Sequence, residues 1–130
     1  MTVDAPSSLS ISVVVHRLND AELRRNLLTL RVAANQLSKP CARLTLIDNS
    51  EQSELASALR AAAVATCWRD AIVLSGHGNI GYGAGHNLAI RATQSTAHLV
   101  LNPDVELDPE ALRYGLLTLS ELDCVLVGAV

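Results

Sequence analysis

The sequence has 130 residues, 49% of them hydrophobic and 18% charged, which suits one folded domain able to remove about two-thirds of its surface from water and excludes a disordered chain. A net charge of −3, one tryptophan, two tyrosines and no phenylalanine supply neither a basic field nor stacking platforms, so nucleic acid is not an expected partner. No stretch approaches the ~20 consecutive apolar residues that would span a bilayer.

In chain order, residues 1–8 are expected to form a disordered tail and residues 9–130 an α/β domain. Leu9 to Val15 (LSISVVV) is a β-branched run suited to a strand covered on both faces. A helix follows, with Asn19 as N-cap, Glu22 as its reciprocal partner, and Leu23, Leu27, Leu30, Ala34 and Leu37 at helical spacing. Ser38-Lys39-Pro40 stops it. A second strand, Arg43 to Ile47, runs into Asp48-Asn49-Ser50, and an alanine-rich helix extends from Ser53 to about Thr66. A short third strand, Ala71 to Leu74, leads to a glycine-rich loop, Gly76 to Gly85, with a helix from Ala84 to about Thr93 behind it. The strand Ala97 to Leu101 ends in Asn102-Pro103-Asp104. Asp108 as N-cap and Pro109 at the first helical position open a last helix, with Leu112, Leu116 and Leu119 on its buried face. Cys124 to Val130 reads as a closing strand. Alternating strands and helices predict a layered α/β fold with a mostly parallel sheet.

Ligands of such sheets bind beyond the carboxyl ends of the strands, and polar residues gather at these ends. Gly76, Gly78, Gly81, Gly83 and Gly85 bare the main chain, and backbone N–H groups ahead of a helix start suit a diphosphate or sugar hydroxyls. Asp104 can ligate Mg²⁺ or Mn²⁺ bridging two phosphates, with Asn102 adding a neutral oxygen from the same turn; ordinary turn chemistry explains the pair equally well. Asp48 can accept the imide N–H of uracil or thymine, or simply cap its own turn. The four histidines lack ligand spacing, and His98, inside a strand, reads as a packed residue. Cys41, Cys67 and Cys124 are odd in number and far apart, which excludes a zinc ribbon or disulfide framework and predicts buried, reduced thiols. Gly76-His77-Gly78-Asn79-Ile80-Gly81 matches the dinucleotide-binding fingerprint, but two strand–helix units precede it, and Gly83 and Gly85 would fall inside the helix that must begin at once.

Four pieces in order, SISVVVHRLND, LTLIDNS, NIGYGAGHNLAI and LVLNPDVELDPEAL, resemble the family 2 glycosyltransferases of the GT-A fold, and most closely their rhamnosyltransferase-like branch acting on cell-surface polysaccharides. The resemblance covers residues 9 to 114 and implies a three-layer, Rossmann-like nucleotide-diphospho-sugar transferase fold. It implies that Asp48 contacts the base, that Asn19, Asn79, Gly81, Tyr82, Gly83, Gly85, Asn87 and Asn102 line the donor pocket, and that Asp104 ligates Mg²⁺ or Mn²⁺. Sugar would pass from a UDP- or dTDP-linked donor to a hydroxyl of a saccharide or lipid-linked saccharide. Arg17 and Leu18 stand where the family carries a threonine and an aromatic, and Asn102 replaces the first acid of the metal motif. The family's acceptor half, with its general base, has no counterpart, so the chain is expected to be the donor-binding fragment of a longer enzyme.

The N-terminus lacks the pattern of a signal peptide, so a cytoplasmic location is expected. The apolar final strand is a candidate edge for pairing with a second copy. The alternatives to a glycosyltransferase are a dinucleotide-binding module and a degenerate, non-catalytic interaction domain.

Overall fold

The computed structural model describes residues 8–38 and 42–121. The expected tail, apart from Ser8, and the expected closing strand lie outside these residues, as do Cys41 and Cys124. The order is β1 (Leu9–Val15), α1 (Asp20–Asn35), β2 (Ala42–Asp48), α2 (Leu55–Ala65), β3 (Ile72–Leu74), α3 (Tyr82–Thr93), β4 (Ala97–Leu101) and α4 (Ala111–Glu121). The four strands form one sheet in the order β3-β2-β1-β4, and every pairing is parallel. The alternation read from the sequence is thus realised as an α/β fold. No helix among the described residues is long and apolar enough to cross a membrane.

β1 lies between two neighbours and all seven of its residues are buried, as its unbroken apolar and small composition requires. Successive side chains go to opposite faces. Ile11, Val13 and Val15 join Leu44 and Leu46 of β2, Leu23, Leu27 and Leu30 of α1, Leu59 of α2 and Leu112 of α4 in one continuous core. On the other face, Val14 and Ile47 pack on Ala89 of α3. Strands β1 to β3 step across the sheet in one direction with α1 and α2 on the first face. The step back from β3 to β4 reverses direction, and crossovers of a single hand then require its helix, α3, to lie on the second face.

Polar contacts fill much of that second face. Ser95 Oγ donates to the Ala97 carbonyl at 2.8 Å, so Ser10 must donate to Ser95. With both rings neutral the order beyond is fixed: His98 Nδ1–H donates to Ser10 Oγ at 2.6 Å, Ser12 Oγ donates to His98 Nε2 at 2.7 Å, and His86 Nδ1–H donates to Ser12 Oγ at 2.6 Å. Burial lowers the pKa of both histidines, that of His86 to about 4 with His98 adding to the effect, which keeps the rings neutral.

Several boundaries differ from the expectation. α3 begins at Tyr82, two residues before the anticipated Ala84, so Gly83 and Gly85 lie in its first turn. α4 begins at Ala111, and Asp108 caps the turn ahead of it by accepting from Glu110 N at 2.8 Å. Cys67 is exposed, with φ of 66°, which corrects the expectation of a buried thiol: the residue sits in the turn that ends α2 rather than on the helix's inner face.

Candidate functional site at the carboxyl edge of the sheet

Parallel pairing aligns the strand ends: Val15 lies opposite Asp48, Ile47 opposite Leu74, and Val13 opposite Leu101. The connection leaving β2 turns to α2 on one face, whereas that leaving β3 turns to α3 on the other. Their divergence leaves a cleft of about 380 Å³ lined by Asp48, Ser50, Gln52, Ala56, Ser75 and Gly76, among others. Asp48 is buried, and its Oδ1 accepts from both Ser50 N (2.8 Å) and Ser50 Oγ (2.6 Å). Among the described residues Oδ2 has no hydrogen-bond partner, so the carboxylate offers the cleft one open oxygen.

Asn49, at 2% exposure, ties three strand ends together. Its N–H extends the ladder to Val15 O at 2.9 Å, and its carbonyl accepts from His16 Nδ1 at 3.2 Å. The side chain donates through Nδ2 to Gly81 O at 2.9 Å and accepts through Oδ1 from His77 Nε2 at 3.0 Å. Gly81 caps α3 with φ of 90°, a backbone conformation that favours glycine, and no side chain caps this helix. Its first N–H groups therefore form an uncapped anion-attracting end. A Cβ at Gly83 would meet nothing within 4 Å, whereas one at Gly85 would lie 3.0 Å from Val14 Cγ2 and 3.2 Å from Asn49 Nδ2. Close packing of α3 on β1 therefore accounts for Gly85.

Beyond β4, Asn102-Pro103-Asp104-Val105 forms a turn with Val105 N on Asn102 O at 3.4 Å. Asn26 of α1 donates to Asn102 O at 2.9 Å and to Val105 O at 2.6 Å. Thr29 Oγ1 accepts from Leu107 N at 3.0 Å, and Arg25 pairs with Glu106 at 3.1 Å. Asp104 is exposed. Tyr82, from the first turn of α3, donates its hydroxyl to Asn102 Oδ1, and its ring meets His86 edge-on at 4.4 Å. Partial burial and then the Asp104 carboxylate raise the Tyr82 pKa.

Of the residues named from sequence, Asp48, Gly81, Tyr82, Asn102 and Asp104 thus occupy the turns at one edge. Asn19 caps α1, accepting from Glu22 N at 3.1 Å, and Asn79 Oδ1 accepts from Gly81 N at 3.1 Å within its own loop. Asn87 is exposed on α3. Asn49 and Asn26 were not singled out: the first is hidden beside a more conspicuous aspartate, and the second lies 76 residues from the carbonyl it binds.

Among the described residues no cluster of three or more His, Cys, Asp or Glu side chains could hold a metal ion. The Asn102 amide oxygen is engaged by Tyr82 and the Glu106 carboxylate by Arg25, leaving Asp104 as the open carboxylate of the turn. A Mg²⁺-like ion bound through one or two carboxylates, with phosphate and water completing its shell, fits this donor set. The residues suit a cation arriving with a diphosphate better than one held by protein alone.

The dinucleotide fingerprint follows β3, an outer strand of the described sheet, instead of the central β1. The objection drawn from Gly83 and Gly85 falls, because both do lie inside α3; the position of the loop in the topology remains the argument against that alternative.

No protein-family model matches the sequence, and no curated protein matches it. Among solved structures, the chain is similar to the mannosyltransferase PcManGT from Pyrobaculum calidifontis in complex with GDP-Man and Mn²⁺, with a TM-score of 0.62 and 14% identity over 78% of this chain and 28% of that one. It is also similar to residues 1–349 of S. aureus TarS, with a TM-score of 0.64 and 16% identity over 88% of this chain and 32% of that one. The chain therefore spans less than a third of the length of either. At these identities the likeness establishes a shared α/β fold.

Proposed function

We propose that this chain is the nucleotide-sugar-binding part of a glycosyltransferase, itself part of a longer protein. The observation that carries the reading is the arrangement of one edge: a buried carboxylate with one open oxygen in a cleft between β2 and β3, an uncapped helix start, and an exposed carboxylate beyond β4. Laid across that edge, a nucleoside diphosphate places its base against Asp48, its phosphates over the first turn of α3, and its sugar-bearing end towards Asn102 and Asp104.

Each element has a distinct task. Asp48 selects a base that presents an N–H. Because Ser50 occupies Oδ1, the single open oxygen matches the one imide N–H of uracil or thymine better than the two adjacent donors of guanine, although the similar mannosyltransferase binds GDP-Man. The free N–H groups at Tyr82, Gly83 and Ala84 hold phosphate oxygens, with the missing side chain of Gly83 leaving room for them. Asp104 holds Mg²⁺ or Mn²⁺ together with the diphosphate. When bound, that cation supplies positive charge where negative charge develops on the leaving group. The acceptor, a saccharide or lipid-linked saccharide, and the base that deprotonates it belong to the remainder of the enzyme. The finer assignment, a rhamnosyltransferase-like enzyme of cell-surface polysaccharide synthesis, is carried by the sequence motifs.

The test is thermal unfolding of the chain with UDP, dTDP and GDP, each with and without Mn²⁺. A ligand of the native state raises the melting temperature. UDP or dTDP should give the larger rise, Asp48→Ala should remove it, and Asp104→Ala should remove only the share that depends on Mn²⁺. Absence of a rise with every nucleotide would overturn the reading, and a preference for GDP would overturn the choice of base.

A further inference from the structure

Position 26 is out of keeping with its helix. The inward stripe of α1 consists of Leu23, Leu27, Leu30, Ala33 and Ala34, and Asn26 sits within it at 0% exposure. A leucine there would complete the stripe, and a buried amide is unfavourable unless hydrogen bonded. One half of this amide is not: Oδ1 is buried without a partner. Packing alone therefore does not account for asparagine.

The other half is fully used. Nδ2 donates to Asn102 O at 2.9 Å and to Val105 O at 2.6 Å. Carbonyl oxygens only accept, so the orientation of the amide follows from its partners. The two carbonyls are the first and last of the turn whose central residues are Pro103 and Asp104. Both N–H groups of one rigid side chain thus clamp both ends of the turn to α1. One helical turn further on, Thr29 Oγ1 secures the exit by accepting from Leu107 N at 3.0 Å.

On the reading of Asp104 as the residue that meets the cation-bearing diphosphate, the geometry points to Asn26 as the positioning residue for that carboxylate. It touches no ligand. Its clamp sets the direction in which Asp104 leaves the turn, so the cation finds a carboxylate already in place. Partners that orient a metal-binding carboxylate contribute roughly 10- to 100-fold in metal affinity.

The test is calorimetric titration of the wild-type chain, Asn26→Ser and Asn26→Ala with UDP, in EDTA and in Mn²⁺, beside UMP in EDTA. UMP reports the Asp48 cleft, which lies on the far side of β1 from the clamp. The expected result is unchanged UMP affinity in both variants and a Mn²⁺-dependent gain for UDP reduced by roughly 10- to 100-fold, less in the serine variant, which retains one donor. A gain equal to that of the wild type would overturn the inference. So would parallel loss of UMP binding, or failure of both variants to fold, since either makes Asn26 a determinant of the whole fold. A wild-type chain that binds UMP but gains nothing from Mn²⁺ would instead bring down the assignment of Asp104, and this inference with it.

Discussion

The two faces of the sheet are held by different physics. Under α1, α2 and α4, twenty buried side chains among the described residues form one apolar core, which depends on area and fit and little on direction. Under α3 the buried cluster is Val14, Ile47 and Ala89, and beside it a one-way chain of hydrogen bonds runs through Ser10, His98 and Ser12 to His86 of the helix. Val100 and Ile90 on that side stay 47% and 42% exposed. The first face holds the strands together. The second fixes the placement of one helix, and that helix brings Gly81 and Tyr82 to the candidate site.

The comparison can be broken at three points. The largest effect is expected on the apolar face, where Leu46→Ala empties a site at 0% exposure and should cost ~2–5 kcal/mol by urea unfolding. A value below that for any change under α3 would contradict the contrast. Next is acid. His86 has a folded pKa lowered to about 4 from an ordinary value of 6.5, so below pH 6.5 the unfolded chain takes up a proton that the folded chain refuses. Stability from this group is complete above pH 6.5 and declines until about pH 4, by on the order of 3 kcal/mol. Urea midpoints at pH 7 and 4.5 should show the decline, and His86→Leu should flatten it; equal slopes would leave the polar chain without energetic weight. The smallest effect is Gly85→Ala. The gain in helix propensity is ~1 kcal/mol, but the new methyl meets Val14 at 3.0 Å and Asn49 at 3.2 Å. Overpacking of ~1–3 kcal/mol should prevail, giving a lower melting temperature.

Local features were legible in the sequence because local physics sets them. β1 was readable from its β-branched run and the start of α1 from Asn19 and Glu22, whose cap bond is present at 3.1 Å. The gathering of polar residues at strand ends followed from parallel topology, and Asp48, Asn102 and Asp104 do occupy a common edge. What escaped depends on which elements meet. Gly85 reads as a loop glycine until α3 is seen against Val14. His98 reads as a packed strand residue, and nothing local reveals that it shares Ser12 with His86. Asn26 reads as a helix-face residue until the turn after β4 is laid over it.

The contacts of Gly81 and Tyr82 carry one more consequence. These are consecutive residues, yet the first is tethered to Asn49 after β2 and the second to Asn102 after β4. A single peptide unit thus bridges the turns on either side of β1. The start of α3 is therefore held from both sides of the central strand at once, by a main-chain carbonyl on one side and a phenol on the other.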